Sequence, residues 1–162
     1  MADETRPELT PMPAEQLEKH LTQFINAHNV CVLATARDNI PRATPLEYEA
    51  EGTTLYIMAG PGQKLENLKA NPLVGAAIHD PLKGWQTVKG IQITGRASLI
   101  TDQSSEYQGA WKVFNRANAD KDGWDVPPPG RTLLKIEADK IELMETSLKK
   151  KGFKIRQTWG KA

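Results

Sequence analysis

One cysteine, an aromatic content of 6% and a formal net charge of only +1 each close off a class of protein. With Cys31 alone no internal disulfide can form, so the fold must rest on a packed core. That thiol lies in an apolar run, where a small buried cysteine is the usual outcome. A nearly neutral chain has no broad field to steer nucleic acid or an anionic membrane, so any anion it binds must be held by local groups. No apolar run is long enough to span a bilayer, and the acidic, proline-rich MADETRPELTPMPAEQ start has no basic segment followed by an apolar one. The expectation is a cytoplasmic protein without nucleic-acid or membrane partners. Also missing are a P-loop, a dinucleotide fingerprint and a Gly-x-Ser-x-Gly segment, which disfavours nucleotidase and hydrolase chemistry. His20, His28 and His79 lack metal-ligand spacing. The segment from Asn118 to Gly123 partly matches a calcium loop, but its twelfth position falls on Pro129 instead of glutamate, so no calcium is expected there.

What is present fits one domain: 162 residues with 39% hydrophobic content. Residues 1–12 read as a loose leader and residues 13–162 as the domain. Pro13 suits a first helical turn, and Leu17, Leu21, Phe24, Ile25 and His28 follow at helical spacing. VCVLATA (30–36) reads as a buried strand, and the turn from Arg37 to Pro41 leads into a second strand, RATPLEYEA, beginning at Arg42. TLYIMA is a third strand, residues 62–70 a helix ended by Asn71-Pro72, and residues 73–79 a fourth strand. In VKGIQITGRASLI (88–100) apolar and small residues alternate with polar ones, the period of a long strand with one buried face. Gly95 and Ala97 within it would allow bending or close backbone approach. Asp102 is placed to cap a helix carrying Tyr107, Ala110, Trp111, Phe114 and Ala117 on one apolar stripe. An Asp/Gly/Pro loop spans residues 119–130. TLLKIEA and KIELMET read as two strands, Lys149 to Lys151 as a solvated turn, and GFKIRQTW as a final strand. Short turns between most strands predict a mostly β protein: six to seven antiparallel strands in a sheet closed or nearly closed into a barrel, with helices on the outside.

The most informative stretch is LYIMAGPGQKLENLKANP (55–72), in which a strand passes through Gly-Pro-Gly into a helix whose first turn carries Lys64. The first amides of a helix lack intrahelical partners and sit at the positive end of its dipole, so an anion there gains hydrogen bonds and field together. Arg42, opening its own strand, can supply a second cation. A lysine at a helix start is in most chains a solvated surface residue, so the cradle gains meaning from the order of elements around it. Arg42 and Thr44 share a strand face, and Pro45, which cannot donate to a ladder, belongs at an edge or bulge.

The order helix, three strands, lysine-bearing helix ending in Asn-Pro, two strands, helix and C-terminal strands resembles the pyridoxamine 5'-phosphate oxidase-like family of FMN-binding split barrels, over roughly residues 16–145. Arg42 with its strand, the end of the TLYIMA strand, Gln63-Lys64, Leu68, Asn71-Pro72 and the ITGRA segment carry the likeness. The resemblance implies that Arg42 and Lys64 hold the FMN phosphate, that Gln63 is a neighbouring contact, and that Ala43, Thr44, Pro45, Met58 and Ala59 wall the ring and ribityl chain. Gly90 stands where the family's oxidases carry a glutamine on the long strand, with Gln92 two residues later, and the resemblance implies flavin contact from this pair. It also implies a homodimer with the flavin at the subunit interface and a small-molecule substrate or electron donor. The C-terminal Arg-x-His and Phe-Trp-Gln-Gly segments of the vitamin-converting oxidases are absent, which argues against pyridoxamine phosphate oxidation itself. Gln63 also replaces an arginine that those enzymes carry before the phosphate lysine.

The reading that results is an FMN-dependent oxidoreductase, with no catalytic side chain assigned. The competing readings are a non-enzymatic protein that stores or senses flavin, one that carries haem through His79, and a deazaflavin-dependent reductase. The longer polyanionic tail of a deazaflavin calls for more cations than Arg42 and Lys64. Arg156 and Trp159 are placed either to close over a flavin or to form a terminal strand edge, and the edge role is favoured.

Overall fold

The computed structural model describes residues 7–118 and 127–161. The calcium-loop segment and most of the Asp/Gly/Pro loop lie outside these residues. In chain order the regular elements are α1 (Ala14–Asn26), β1 (Val30–Arg37), β2 (Ile40–Glu47), β3 (Glu49–Glu51), β4 (Thr54–Ala59), α2 (Gln63–Ala70), β5 (Leu73–His79), β6 (Lys89–Ile100), α3 (Tyr107–Phe114), β7 (Thr132–Glu145) and β8 (Arg156–Gly160). No helix among them is long and apolar enough to cross a membrane.

All strand pairs are antiparallel, and the sheet order is β2-β1-β5-β6-β7-β4-β3. β2 and β3 stand at opposite ends of that order yet are consecutive in the chain, separated only by Tyr48. One bent strand therefore closes the ring. The sequence led us to expect RATPLEYEA as a single strand; it breaks at Tyr48 because that residue leaves the ladder. Its N–H donates to the Asn29 carbonyl, and its buried hydroxyl donates to the Ile25 carbonyl at 2.6 Å. β7 pairs with β6 along one edge, and along the other gives residues 132–136 to β4 and 140–144 to β8. This divergence splits the barrel.

Local chemistry accounts for the elements. The β1–β2 hairpin turns on two residues, Asp38 (φ 51°) and Asn39 (φ 61°), side chains that tolerate the left-handed backbone such a turn demands. Alternation in β6 is as expected, with Ile91, Ile93 and Ala97 buried and Gln92, Thr94 and Arg96 exposed. The ladder shifts register at Gly95, where an added Cβ would press into the Glu137 carbonyl. The barrel interior is filled by Leu33, Ile57, Ile78, Ile93, Leu134 and Ile136, and Leu21 and Ile25 of α1 join the same core. Each such side chain contributes about 1.5–3 kcal/mol by leaving water. A second cluster forms outside the barrel, where Tyr107, Trp111 and Phe114 of α3 cover Tyr56, Leu133 and Ile100.

Several expectations change. Residues 7–12 are not loose throughout: Thr10 bridges to Phe153, and the Met12 amide donates to Gln157 Oε1 at 3.0 Å. Asp102 does not cap α3, which begins at Tyr107, and Ala117 lies past the helix and is exposed. The two strands expected from TLLKIEA and KIELMET are one 14-residue strand, because the extra residue Asp139 is taken up as a bulge in β7 opposite Thr94–Gly95 without interrupting the strand.

Candidate functional site

Arg42 sits two residues into an exposed strand, since β2 is buried at no position along its length. Pro45 occupies this sheet end as expected, paired with Val32 on one side. Directly opposite Arg42 in the β1–β2 ladder is Thr35, a buried threonine. Its hydroxyl accepts from Asn67 Nδ2 at 3.1 Å, and Asn67 Oδ1 in turn accepts from Gln63 Nε2 at 2.9 Å. Asn67 is itself buried within α2. This hydrogen-bonded chain fixes the first turn of α2 beside Arg42, and Asn71 adds a second tie to the Ala36 carbonyl. A cavity of about 360 Å³ results, lined by Arg42, Gln63, Asn67, Arg37, Asp38 and the Ile40–Pro41 step.

Lys64 follows Gln63 in the same helical turn and is half-buried. The residue before α2 is Gly62 (φ 155°), and a Cβ added there would meet nothing within 4 Å. The helix start is therefore open, and the Gln63 and Lys64 amides precede its first intrahelical bonds. Among the described residues no carboxylate lies within 4 Å of Arg42 or Lys64, whereas Asp38 at the hairpin tip is paired with Arg37 at 3.4 Å. The corner is thus net cationic, with uncommitted donors. Such a site can hold a compact dianion.

The remaining sequence candidates are distributed as follows. Ala43 and Thr44 continue from Arg42 along β2, with Thr44 on the same face. Met58 faces outward and packs beside the α3 cluster, while Ala59 points into the barrel core and offers only backbone. Gly90 and Gln92 are not at this corner. They line a separate cleft of about 540 Å³ with His79, Lys89, Met144 and Arg156. Three strand steps separate β2 from β6 through β1 and β5, roughly 14 Å around the sheet.

His79 ends β5 and donates from Nδ1 to the Asp80 carbonyl. Trp159 donates its indole N–H to Glu18 on α1 at 3.3 Å and packs its ring beside the core, while Arg156 lines the Gly90–Gln92 cleft. His20 pairs with Glu145 and His28 with Asp80, and no group of metal-ligating side chains is found among the described residues. The sequence reading missed Thr35 and Asn67. The signal available was an asparagine on the inner side of a short helix, between Leu65 and Leu68, a position that demands a buried partner.

A ring of antiparallel strands closed by one bent strand, with helices outside and a cationic helix start at the seam, defines a split barrel. The sequence profile of the pyridoxamine 5'-phosphate oxidase family matches residues 17–145, and the chain belongs to that family. A crystal structure of a protein from Listeria innocua, named a putative pyridoxamine 5'-phosphate oxidase, is 26% identical with a TM-score of 0.62, covering 78% of this chain and 97% of its own. A FAD-binding protein of Mesorhizobium loti is 24% identical with a TM-score of 0.61, covering 76% and 88%. The haem storage protein HutZ of Vibrio cholerae shares the fold at 16% identity, with a TM-score of 0.62 and coverage of 75% and 89%.

Proposed function

We propose that this chain is an FMN-binding flavoprotein that works as an oxidoreductase on a small substrate, with the flavin held between two copies of the chain. The observation that carries the reading is the convergence of Arg42, Gln63 and the open start of α2 on one cavity, with Lys64 in the adjoining position. Those groups fit a phosphate monoester. Arg42 offers a planar fork of donors, Lys64 a point charge, and the helix amides two further donors. One cationic corner suits a single phosphate, and the second phosphate of a dinucleotide would call for a further basic wall. A protein of the same fold that is named as FAD-binding supports flavin as the cofactor class.

When bound, FMN would supply hydride or electron transfer. The protein's own part is binding and placement. Arg42 and Lys64 would hold the phosphate, Thr44 can donate its hydroxyl to the ribityl chain, and Pro45 with Met58 would wall the ring. Donating amides near the ring would favour its reduced anion, and no side-chain acid or base is assigned. The distance between the Arg42 corner and the Gly90–Gln92 cleft supports a two-fold assembly, in which the cleft of one copy covers the exposed β2 face of the other. Ile40, 69% exposed on β2, would be covered in the same step.

The test is the visible spectrum of the purified protein before and after addition of FMN and dithionite, with sedimentation to read the assembly. A flavin spectrum that bleaches reversibly, in a dimer, is the expected result. Lys64→Glu should abolish FMN binding while leaving the fold intact, and retained affinity in that variant would defeat the site assignment. A Soret band that disappears on replacing His79 would move the assignment to haem.

A further inference from the structure

His28 lies just past the end of α1, and both of its ring nitrogens are engaged: Nδ1 meets the Phe24 carbonyl at 2.8 Å and Nε2 meets Asp80 Oδ1 at 2.8 Å. A carbonyl and a carboxylate can only accept, so both bonds exist together only while the imidazole carries two protons. Losing either proton breaks one of them. The other groups facing this ring are the Phe24 ring, its centroid 4.4 Å away, and beyond it the Lys89 ammonium, 5.0 Å from that centroid and paired with Glu145. Across a cavity of about 290 Å³ stand Tyr48, whose hydroxyl is given to Ile25, and Glu49, which forms no ion pair with His28. Asp80 is the partner that joins His28 to another part of the fold. It opens the connection from β5 to β6, a strap that carries Leu82 and Trp85, 76% and 61% exposed. Asp80 and Leu82 also wall the cleft of about 540 Å³ that holds Gly90 and Gln92. The hydrogen bonds of residues 81–87 are internal to the strap, from Thr87 to Gly84, with Val88 closing back on Trp85. Its far root is held by the Thr146 amide on the Val88 carbonyl, and its near root by His28 on the Asp80 carboxylate.

We infer that His28 and Asp80 form a proton-operated clasp on this strap: with two protons on His28 the strap is fastened to α1, and with one it is released, so that pH sets the mouth of the cleft. The inference goes beyond the FMN reading and does not depend on it. Its sign is opposite to that of an ordinary paired carboxylate. The tie is complete below the range in which an imidazole titrates and is lost as pH rises through it.

The experiment is limited trypsin digestion of the full-length protein at about pH 6 and about pH 8, either side of that range. Mass spectrometry reads cleavage after Lys83, an exposed residue of the strap, and after Lys69, an exposed residue of α2. Each wild-type rate is divided by the rate of His28→Gln at the same pH, which cancels the protease's own pH dependence. Glutamine keeps a donor but cannot take up a proton. At the lower pH the wild-type strap should be cut roughly three- to tenfold more slowly than that of the variant, the protection of a partly exposed, charge-assisted bond, and at the higher pH the ratio should approach one. Asp80→Asn should match His28→Gln at both values, and it carries the comparison alone if His28→Gln does not fold. A ratio that does not change with pH would overturn the clasp, as would a strap released at the lower pH. Equal acceleration at Lys69 would mean general loosening of the fold and would overturn it too. None of these outcomes bears on FMN binding, so failure here leaves that reading standing.

Discussion

Asn67 donates to the Thr35 hydroxyl at 3.1 Å, and Thr35 is the residue facing Arg42 across the β1–β2 ladder. A buried amide in a short helix is thereby the link that sets the start of α2 against the exposed arginine.

Replacing Asn67 by alanine should therefore act on both stability and the site. The Thr35 hydroxyl loses its donor inside the protein, and Gln63 loses its acceptor, at a cost of about 1–3 kcal/mol. Urea denaturation should show that loss. Flavin titration should show weaker FMN binding even though Asn67 need not touch the ligand. A variant with full stability and altered binding would mean that the chain of hydrogen bonds does not hold the helix.

Gly95→Ala should destabilise the protein by about 1–3 kcal/mol, the usual range for forcing atoms into a filled space. The added methyl would press into the Glu137 carbonyl, part of the β7 backbone, which cannot swing away as a side chain would. Thermal melting gives the readout. The same change at Gly109, which meets nothing within 4 Å, is the control and should be neutral or stabilising within its helix.

Glu145 should govern the acid limb of stability. Burial pushes its carboxyl up, but donation from Ser147 and His20 and the charge of Lys89 outweigh that, so it titrates below the ordinary carboxylate range. Ser147 Oγ and His20 Nε2 each lie 2.6 Å from its oxygens, and Lys89 Nζ lies 3.2 Å away. With the folded value lowered, the stabilisation is complete above the unfolded carboxylate range, near pH 4–5. It is lost as pH falls through the folded value. Urea midpoints should drop as pH falls below about 4, and the drop should be smaller in Ser147→Ala, whose Glu145 carboxyl lies nearer its unfolded value.

Cys31 should resist alkylation in the native protein. It is buried, and desolvation pushes its thiol up to about 11, so almost no thiolate is present at neutral pH. Iodoacetamide followed by mass measurement should find it unmodified when folded and fully modified in urea. Rapid native labelling would mean that β1 opens locally.

How much was legible in the sequence depended on the range of the interaction. The period-two pattern of β6, the hairpin at Asp38-Asn39 and the bounds of β4 and β5 follow from local chemistry, and the structure matches them. Tyr48 was not legible as a break, because its hydroxyl answers to Ile25, a residue on another element. Thr35 and Asn67 went unseen for the same reason: each acts through a partner that only the fold brings near. Arg42, Gln63 and Lys64 stood out because a helix start announces itself locally. Gly90 and Gln92 were grouped with them by family likeness, whereas within one chain they line a different cleft.

The bent strand at Tyr48 also bears on how the chain reaches this state. A sheet whose first and last members are halves of one strand cannot be zipped up from a single end. The β1–β2 and β3–β4 hairpins on either side of the bend are local, so the ring is complete only when β4 pairs with β7 from far along the chain. Contacts so distant in sequence slow folding, to times on the order of milliseconds to seconds. Pairing of β4 with β7, rather than the bend at Tyr48, should then be among the last events of folding.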